Sequence, residues 1–200
     1  MDDVSQKEKL WNRNFLLLWQ GQLVSSIGDV VYEIALGFWV LAVTGSPALM
    51  GSLMAATTIP RILLAPLGGV IVDRRDRKFL IVSMDFMRGI AVGFVGLGAL
   101  LGILEIWMVF IAGIVIGLGA ALFNPAIGSV LPDIVPRNRL IKANSAFSII
   151  HAGSGLLGNA LGGFIYALLG APLLFCINSL SYLFSAFTET FIKVRSEEHT

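Results

Sequence analysis

Four polar side chains in an otherwise apolar stretch have the spacing of one helix face. Gln22, Ser26, Asp29 and Glu33 follow one another at intervals of four, three and four residues. Such intervals place side chains on the same side of an α-helix. A carboxyl group in apolar surroundings can exchange a proton, or attract a cation, in the working pH range. We therefore expect this face to line a cavity in which Asp29 or Glu33 binds a proton or a cationic substrate.

Two arginines also fall inside apolar stretches, where a charge needs a partner. Arg61 follows a proline, which kinks a helix. It is expected to pair with Asp29 or Glu33, to snorkel towards the inner surface, or to contact substrate. The structural alternative for the two carboxylates is pairing with Arg61 or hydrogen bonds from neighbouring helices. Arg88 lies three residues after Asp85, a spacing at which opposite charges meet on a helix surface. We predict a structural ion pair there.

The elements that must position these groups are long apolar segments. The chain has 200 residues, of which 14% are charged, and its mean hydropathy is +0.83, whereas about 25% of residues are charged in a typical soluble domain. About 20 apolar residues span a bilayer as a helix, the form that satisfies its own backbone in lipid. The sequence predicts an all-α membrane protein with six spans, at 15–42, 47–72, 79–101, 106–131, 139–168 and 171–192.

Basic residues indicate how these spans are oriented. Apart from Arg61 and Arg88, every Lys and Arg lies before span one, after span six, or in or beside the connections between spans two and three and between four and five. Cytoplasmic connections collect Lys and Arg. We therefore expect a multi-pass protein of the plasma (or inner) membrane with both termini in the cytoplasm, residues 1–13 forming a cytoplasmic segment.

The connection between spans two and three is an ordered cluster of charge, GGVIVDRRDRKFL at residues 69–81. Its glycine would let two helices approach closely, and its first aspartate would cap the next helix or pair with an arginine. The simpler alternative is a positive anchor on the cytoplasmic side. The ordered spacing favours a contact that forms and breaks between two conformations, made by Gly69, Asp73, Arg74, Arg77 and Lys78.

That spacing resembles the signature G-x-x-x-D-R-x-G-R-[RK] of the major facilitator superfamily (MFS). Asp76 stands where the signature has Gly, as in branches similar to macrolide-efflux and siderophore-export proteins, which read D-R-x-D-R. Residues 14–36 and 131–150 resemble the same branch. The resemblance implies a transporter half built of 3+3 inverted repeats, one of two six-helix halves that enclose a substrate site.

Small residues recur at helical spacing in span five and suit close helix packing. Its GNALGG stretch, residues 158–163, resembles the drug-antiporter motif G-P-x-x-G-G, with Asn in place of Pro. The predicted packing residues are Gly155, Gly158, Asn159, Gly162 and Gly163. A similar face on span four comprises Gly113, Gly117 and Ala121. A polar face on span six, with Asn178, Ser181, Ser185 and Thr188, is expected to border the other half.

The domain organisation follows from this resemblance. Residues 14–193 would be the N-terminal six-helix bundle, whose partners are membrane lipid, a missing C-terminal six-helix half, a small-molecule substrate and the proton. Residues 194–200 form a polar tail. One back-translation of its RSEEHT ending, AGA TCG GAA GAG CAC ACG, matches a common sequencing-library adapter, so the tail is either a non-native truncation or a polar linker towards the second half.

The expected function is secondary active transport, namely proton-coupled efflux of drug-like or other amphipathic molecules by alternating access. A phosphate-binding loop of the G-x-x-x-x-G-K-[ST] type, metal-ligand spacing, a G-x-S-x-G elbow and a basic nucleic-acid face are all missing from the sequence, so we expect no enzyme activity, no cofactor, no metal and no nucleic-acid partner. Two alternatives remain: a non-transporting assembly or sensor module, and a half-size carrier that dimerises.

Overall fold

The computed structural model describes residues 10–193, and these residues are helical with short connections. Within that range no β-strand occurs, so the predicted all-α class is confirmed. The charged tail 194–200 and most of segment 1–13 lie outside the described residues. The elements are α1 (Arg13–Thr44), α2 (Pro47–Asp73), α3 (Arg77–Leu100), α4 (Ile106–Ile134), a 3-10 turn (Arg137–Arg139) and α5 (Leu140–Thr190).

Side-chain caps fix the start of three helices. The side chains of Asn12, Ser46 and Asp76 each accept a hydrogen bond from the backbone N–H three residues further on, at 3.0, 3.2 and 2.7 Å. Each bond satisfies an N–H that the first helical turn leaves free. At the end of α1, Gly45 takes a left-handed conformation with φ of 63°, a backbone shape that favours glycine.

α5 is interrupted at Gly170, which has non-helical dihedral angles, φ 70° and ψ 164°. Its 51 residues would extend about 77 Å as one straight helix, far more than the ~30 Å hydrocarbon core. Beyond its end, Lys193 exchanges two hydrogen bonds with the Asn14 side chain near the start of α1, at 3.0 and 3.2 Å. Gly170 falls between the residue ranges predicted for spans five and six, 139–168 and 171–192.

Further contacts bring the basic segments together at one end of the bundle. The Asn12 amide donates to the carbonyl of Ile134 at 2.7 Å, which places the start of α1 beside the end of α4. Arg77, at the start of α3, contacts Asp133 near the same end of α4 at 2.8 Å. We call this the basic end; it gathers Arg13, the segment 74–78, the segment 137–142 and Lys193.

The interior has two hydrophobic clusters with polar groups between them. The cluster at the basic end includes Phe15, Ile81 and Ile192, and the other includes Val40 and Phe175. Between these clusters along α1, α3 and α5 lie buried or half-buried polar side chains. We call these the polar layer; its members used below are Gln22, Asp29, Asp85, Arg88, Tyr182, Ser185 and Glu189.

The outer surface of the bundle is apolar. Leu63, Phe94 and Leu156 are 68%, 71% and 74% exposed, although such side chains are mostly buried in soluble proteins. All five helices are long and apolar enough to cross a membrane. Polar groups inside and apolar groups outside suit a bundle whose surroundings are lipid.

Candidate functional site

Close packing of α1 against the second part of α5 builds one wall of the polar layer. A Cβ added to Gly28 would lie 2.3 Å from the Ser181 hydroxyl, and one added to Gly21 would lie 2.9 Å from the hydroxyls of Ser185 and Thr188. Glycine on one helix and small hydroxyl residues on the other let the two backbones approach. The polar face of span six therefore packs against α1, and the prediction that it borders another half is wrong for these positions.

Asp29 is held at the centre of this wall by an aromatic hydroxyl. Tyr182 of α5 donates a hydrogen bond to the Asp29 carboxylate. The Arg88 guanidinium lies over the ring of Tyr182, 4.7 Å from its centroid, and over Phe123 of α4 at 4.3 Å. Cations are attracted to aromatic faces at such distances. Tyr182 thus separates a carboxylate from a guanidinium and contacts both.

The predicted ion pair of α3 is present in the structure. Arg88 donates to the Asp85 carboxylate, and the side chains are 7% and 0% exposed. Removing one partner of so buried a pair would leave an uncompensated charge. Arg88 therefore joins two parts of the polar layer, since it binds Asp85 on one side and Tyr182 on the other.

A second buried carboxyl group lies nearer the basic end. Glu189 is fully buried, and one of its oxygens accepts hydrogen bonds from Gln22 at 3.4 Å and from Ser185 at 3.3 Å. Gln22 also contacts the Ser185 hydroxyl at 3.5 Å. These bonds join α1 to α5 inside the bundle.

A cavity of about 220 Å³ opens beside the polar layer. It combines two carboxyl groups and two guanidinium groups with apolar side chains, including two methionines. Such mixed linings orient a bound molecule with few polar contacts and enclose its apolar part. The lining residues from α1 are Asp29, Tyr32, Glu33, Leu36, Gly37 and Val40; from α2, Met50, Leu53, Met54, Thr57, Thr58 and Arg61; and from the other helices, Arg88, Ile116, Ala120 and Tyr182.

The four-residue face of span one is divided between two environments. Asp29 and Glu33 line the cavity together with Arg61, but Gln22 does not; it lies deeper, against Glu189. Arg61 makes no ion pair within 4.0 Å to any residue in the range 10–193. Asp29 is expected either to pair with Arg61 or to accept a hydrogen bond from a neighbouring helix. The structure shows the second, because Tyr182 of α5 donates to its carboxylate.

Arg77, and not Asp73, anchors the charge cluster between α2 and α3. Arg77 donates to the Asp133 carboxylate at 2.8 Å and to the carbonyl of Ser129 at 3.2 Å, so it ties this connection to α4. Asp76, not Asp73, caps α3. Asp73 and Arg74 are exposed, and neither makes an ion pair to another described residue. Lys78 is half-buried.

Close helix approach near this connection involves Gly68 and not Gly69. A Cβ on Gly68 would lie 2.5 Å from the carbonyl oxygen of Ala121 in α4, whereas nothing lies within 4 Å of one on Gly69. The packing role predicted for Gly69 is therefore wrong within the described residues. The predicted α4 face is confirmed, because Gly117 and Gly113 pack against Thr57 of α2.

The glycines of span five separate into two faces of α5. Gly158 and Gly162 are buried against Val30 and Ile34 of α1, where an added Cβ would come within 1.8 and 2.1 Å of those side chains. Nothing lies within 4 Å of a Cβ on Gly155 or Gly163, and Asn159 is exposed. Two of the five predicted packing residues therefore make the helix contact in this structure.

The sequence pattern places Tyr182 and Glu189 beside the polar face of span six, without a role of their own, and gives no role to Asp133. Tyr182 and Glu189 belong to an α5 segment whose polar residues were assigned to another surface, and their contacts to α1 join residues more than 150 positions apart in sequence. Asp133 is four residues after Ser129 on α4, and Arg77 contacts both. Among residues 10–193 no group of three or more His, Cys, Asp or Glu side chains could hold a metal ion.

These features define a multi-pass membrane bundle with a charged cavity between its helices. The chain belongs to the family described as transmembrane secretion effector, an MFS family whose sequence model matches residues 5–199. The resemblance to the superfamily is thereby confirmed.

Curated relatives support the same assignment. The chain is 25% identical over 189 residues to macrolide efflux protein A of Streptococcus pyogenes, covering 94% of this chain and 47% of that protein. It is 27% identical over 201 residues to multidrug resistance protein MdtG of Dickeya zeae, covering 98% and 47%. It is 29% identical over 175 residues to the uncharacterized MFS-type transporter YfiS of Bacillus subtilis, covering 87% and 41%. These relatives are named as transporters or resistance proteins and not as enzymes.

The chain spans about half the length of the curated relatives it matches. The matched part is their N-terminal half.

Proposed function

We propose that this chain is the N-terminal half of a transporter that exports amphipathic, drug-like molecules in exchange for protons. The observation that carries the proposal is the cavity in which Asp29 and Glu33 lie with Arg61, Arg88 and apolar side chains. Carboxylates attract the charged amine of a cationic amphipathic compound, and flexible methionines such as Met50 adapt to varied apolar shapes. Relatives named for macrolide efflux and multidrug resistance support this substrate class.

Proton coupling would follow from competition at the cavity carboxylates. Glu33 is exposed on the α1 surface of the cavity, whereas Asp29 is held by Tyr182. A proton on either carboxyl group removes the charge that holds a cationic substrate, so proton entry and substrate release favour one another. Binding free energies coupled in this way are reciprocal.

Alternating access requires six spans and a contact that differs between two states. Gly170 would divide α5 into spans five and six, with the basic end in the cytoplasm of a cell bounded by the plasma membrane. At that end the Arg77–Asp133 pair holds the connection between α2 and α3 against α4, and the exposed Asp73 would contact a second half. Such a contact can set the balance between two conformations.

The contact at the basic end can be tested in the complete gene product that contains this chain. Asp73→Asn and Arg77→Gln should each increase maleimide labelling of a cysteine at Gly128→Cys, a position with open space around it, in a Cys176→Ser background. The matched control is Arg75→Gln, an exposed residue of the same connection. Labelling that stays the same in both variants would exclude the proposed role.

Transport itself is tested with the complete gene product in proteoliposomes under an imposed pH gradient. Asp29→Asn should abolish proton-driven accumulation of amphipathic cations but keep exchange of labelled for unlabelled substrate, because exchange needs no net proton movement. The control is Glu105→Gln, whose side chain makes no capping bond at the start of α4. Accumulation that remains proton-driven in Asp29→Asn would remove Asp29 from the proposal, and no flux of any amphipathic compound would exclude the transport function.

A further inference from the structure

The polar layer holds more acid than base. Around the contact of α1, α3 and the second part of α5, the described carboxyl groups are Asp29, Asp85 and Glu189. The buried base is Arg88, which pairs with Asp85 and lies over Tyr182, and the exposed His151 is the other basic group near Asp29. A buried carboxylate without a compensating charge is strongly unfavourable. Charge balance inside the bundle therefore favours a proton on one of the buried carboxyl groups.

Two of these carboxyl groups each have one oxygen without a partner. Asp85 and Glu189 are both 0% exposed. One oxygen of Asp85 accepts from Arg88, and one oxygen of Glu189 accepts from Gln22 and Ser185. The remaining oxygens, Asp85 Oδ2 and Glu189 Oε2, have no hydrogen-bond partner among the described residues. Buried polar atoms rarely stay unpaired. Both oxygens therefore need a hydrogen-bond donor that the neighbouring described side chains do not provide.

The packing of α3 on α5 brings these two side chains into the same region. Gly96 lies against Cys176, Gly93 against Ser179, and Gly89 against Leu183, so the helices run antiparallel with a steady register. Continuing that register towards the basic end places Asp85 opposite position 187, within one helical turn of Glu189.

We propose that Asp85 and Glu189 form a proton-binding pair that holds one proton between α3 and α5. Glu189 is the neutral acid, and its O–H donates to Asp85 Oδ2, which gives both unpartnered oxygens a bond. Asp85 keeps its negative charge, which Arg88 balances. Protonation adds one proton from water to the Glu189 carboxylate, and release returns that proton.

The pair lies outside the cavity but is connected to it. Neither Asp85 nor Glu189 lines the cavity, whereas Arg88 and Tyr182 do. When the proton leaves, Arg88 must balance two carboxylates, and its contact with Tyr182, which holds Asp29, weakens. This link to transport rests on the proposed function; the proton site itself does not.

Infrared spectroscopy of the purified 200-residue chain in lipid tests the site without any transport assay. At neutral pH we expect the carbonyl band of one protonated carboxyl group, shifted in heavy water. Glu189→Gln should lose this band, and Asp85→Asn should shift it. Glu33→Gln, which removes an exposed cavity carboxyl group, should leave it unchanged. A wild-type spectrum without the band, or a band that persists in Glu189→Gln, would overturn the proposal.

Thermal unfolding of the same proteins separates the roles of the two carboxyl groups. Glu189→Gln resembles the neutral acid and should keep the wild-type unfolding temperature, whereas Asp85→Asn should lower it because Arg88 loses its counter-charge. The reverse order would contradict the assignment. If Glu189→Gln fails to fold, Glu189→Asp takes its place in the infrared experiment. Its protonated carboxyl band should be displaced from the wild-type position, and a band identical to that of the wild type would reject the site. Absence of substrate flux would leave these results intact, so the two proposals fail separately.

Discussion

At the scale of single residues, Arg88 connects most of the groups that the polar layer contains. It pairs with Asp85 and lies over Phe123 and Tyr182, so one guanidinium meets groups from α3, α4 and α5. Planar, delocalised charge suits such a position because it can bond at its edge and stack on its faces.

The contribution of Arg88 can be measured as a change in the free energy of unfolding. Arg88→Gln should lower it by about 3–5 kcal/mol, the usual cost of leaving a buried charge without its partner. The double variant Asp85→Asn with Arg88→Gln should recover most of that loss. Denaturant unfolding in detergent micelles, followed by tryptophan fluorescence, gives the numbers.

The control for this prediction is Arg61→Gln, because Arg61 is exposed and makes no ion pair to a described residue. Its change should stay below about 1 kcal/mol. A double variant that is as unstable as Arg88→Gln alone would show that the Asp85 charge is not the cause.

At the scale of elements, glycine positions decide how closely the helices pack. Gly117 of α4 faces the backbone of Thr57 in α2, where an added Cβ would lie 2.2 Å from the carbonyl oxygen. A backbone atom cannot move aside as a side chain can, so the two helices must separate to admit a methyl group.

Gly117→Ala should therefore destabilise the bundle by about 1–3 kcal/mol, the usual cost of overpacking. Gly128→Ala on the same helix is the matched control, since nothing lies within 4 Å of its added Cβ. That change should be neutral, or stabilising by up to about 1 kcal/mol, because alanine favours a helix. Equal effects of the two substitutions on thermal unfolding would contradict the packing argument.

The elements were more predictable from the sequence than their contacts. Apolar length and the charged connections predict helix bounds within a few residues for α1 to α4, because these signals are local. The Asp29–Tyr182 contact and the burial of Glu189 depend on how α1 meets α5. Sequence periodicity identifies a polar face but not the helix that covers it, so Gln22 was placed in the cavity and Gly69 in a helix contact.

At the scale of the whole molecule, the bundle is polar inside and apolar outside, with its basic segments at one end. The contacts of Asn12, Asn14 and Arg77 place those segments together. Residues 101–105, which connect α3 to α4, lie at the opposite end and contain no Lys or Arg. This distribution is the one that the positive-inside rule describes.

Labelling of single cysteines in intact cells tests the membrane-spanning arrangement most directly. In a Cys176→Ser background, a membrane-impermeant maleimide should label Ile103→Cys from outside the cell and Arg75→Cys only after permeabilisation. Labelling of Ile103→Cys only after permeabilisation, or of both positions from the same side, would contradict the account.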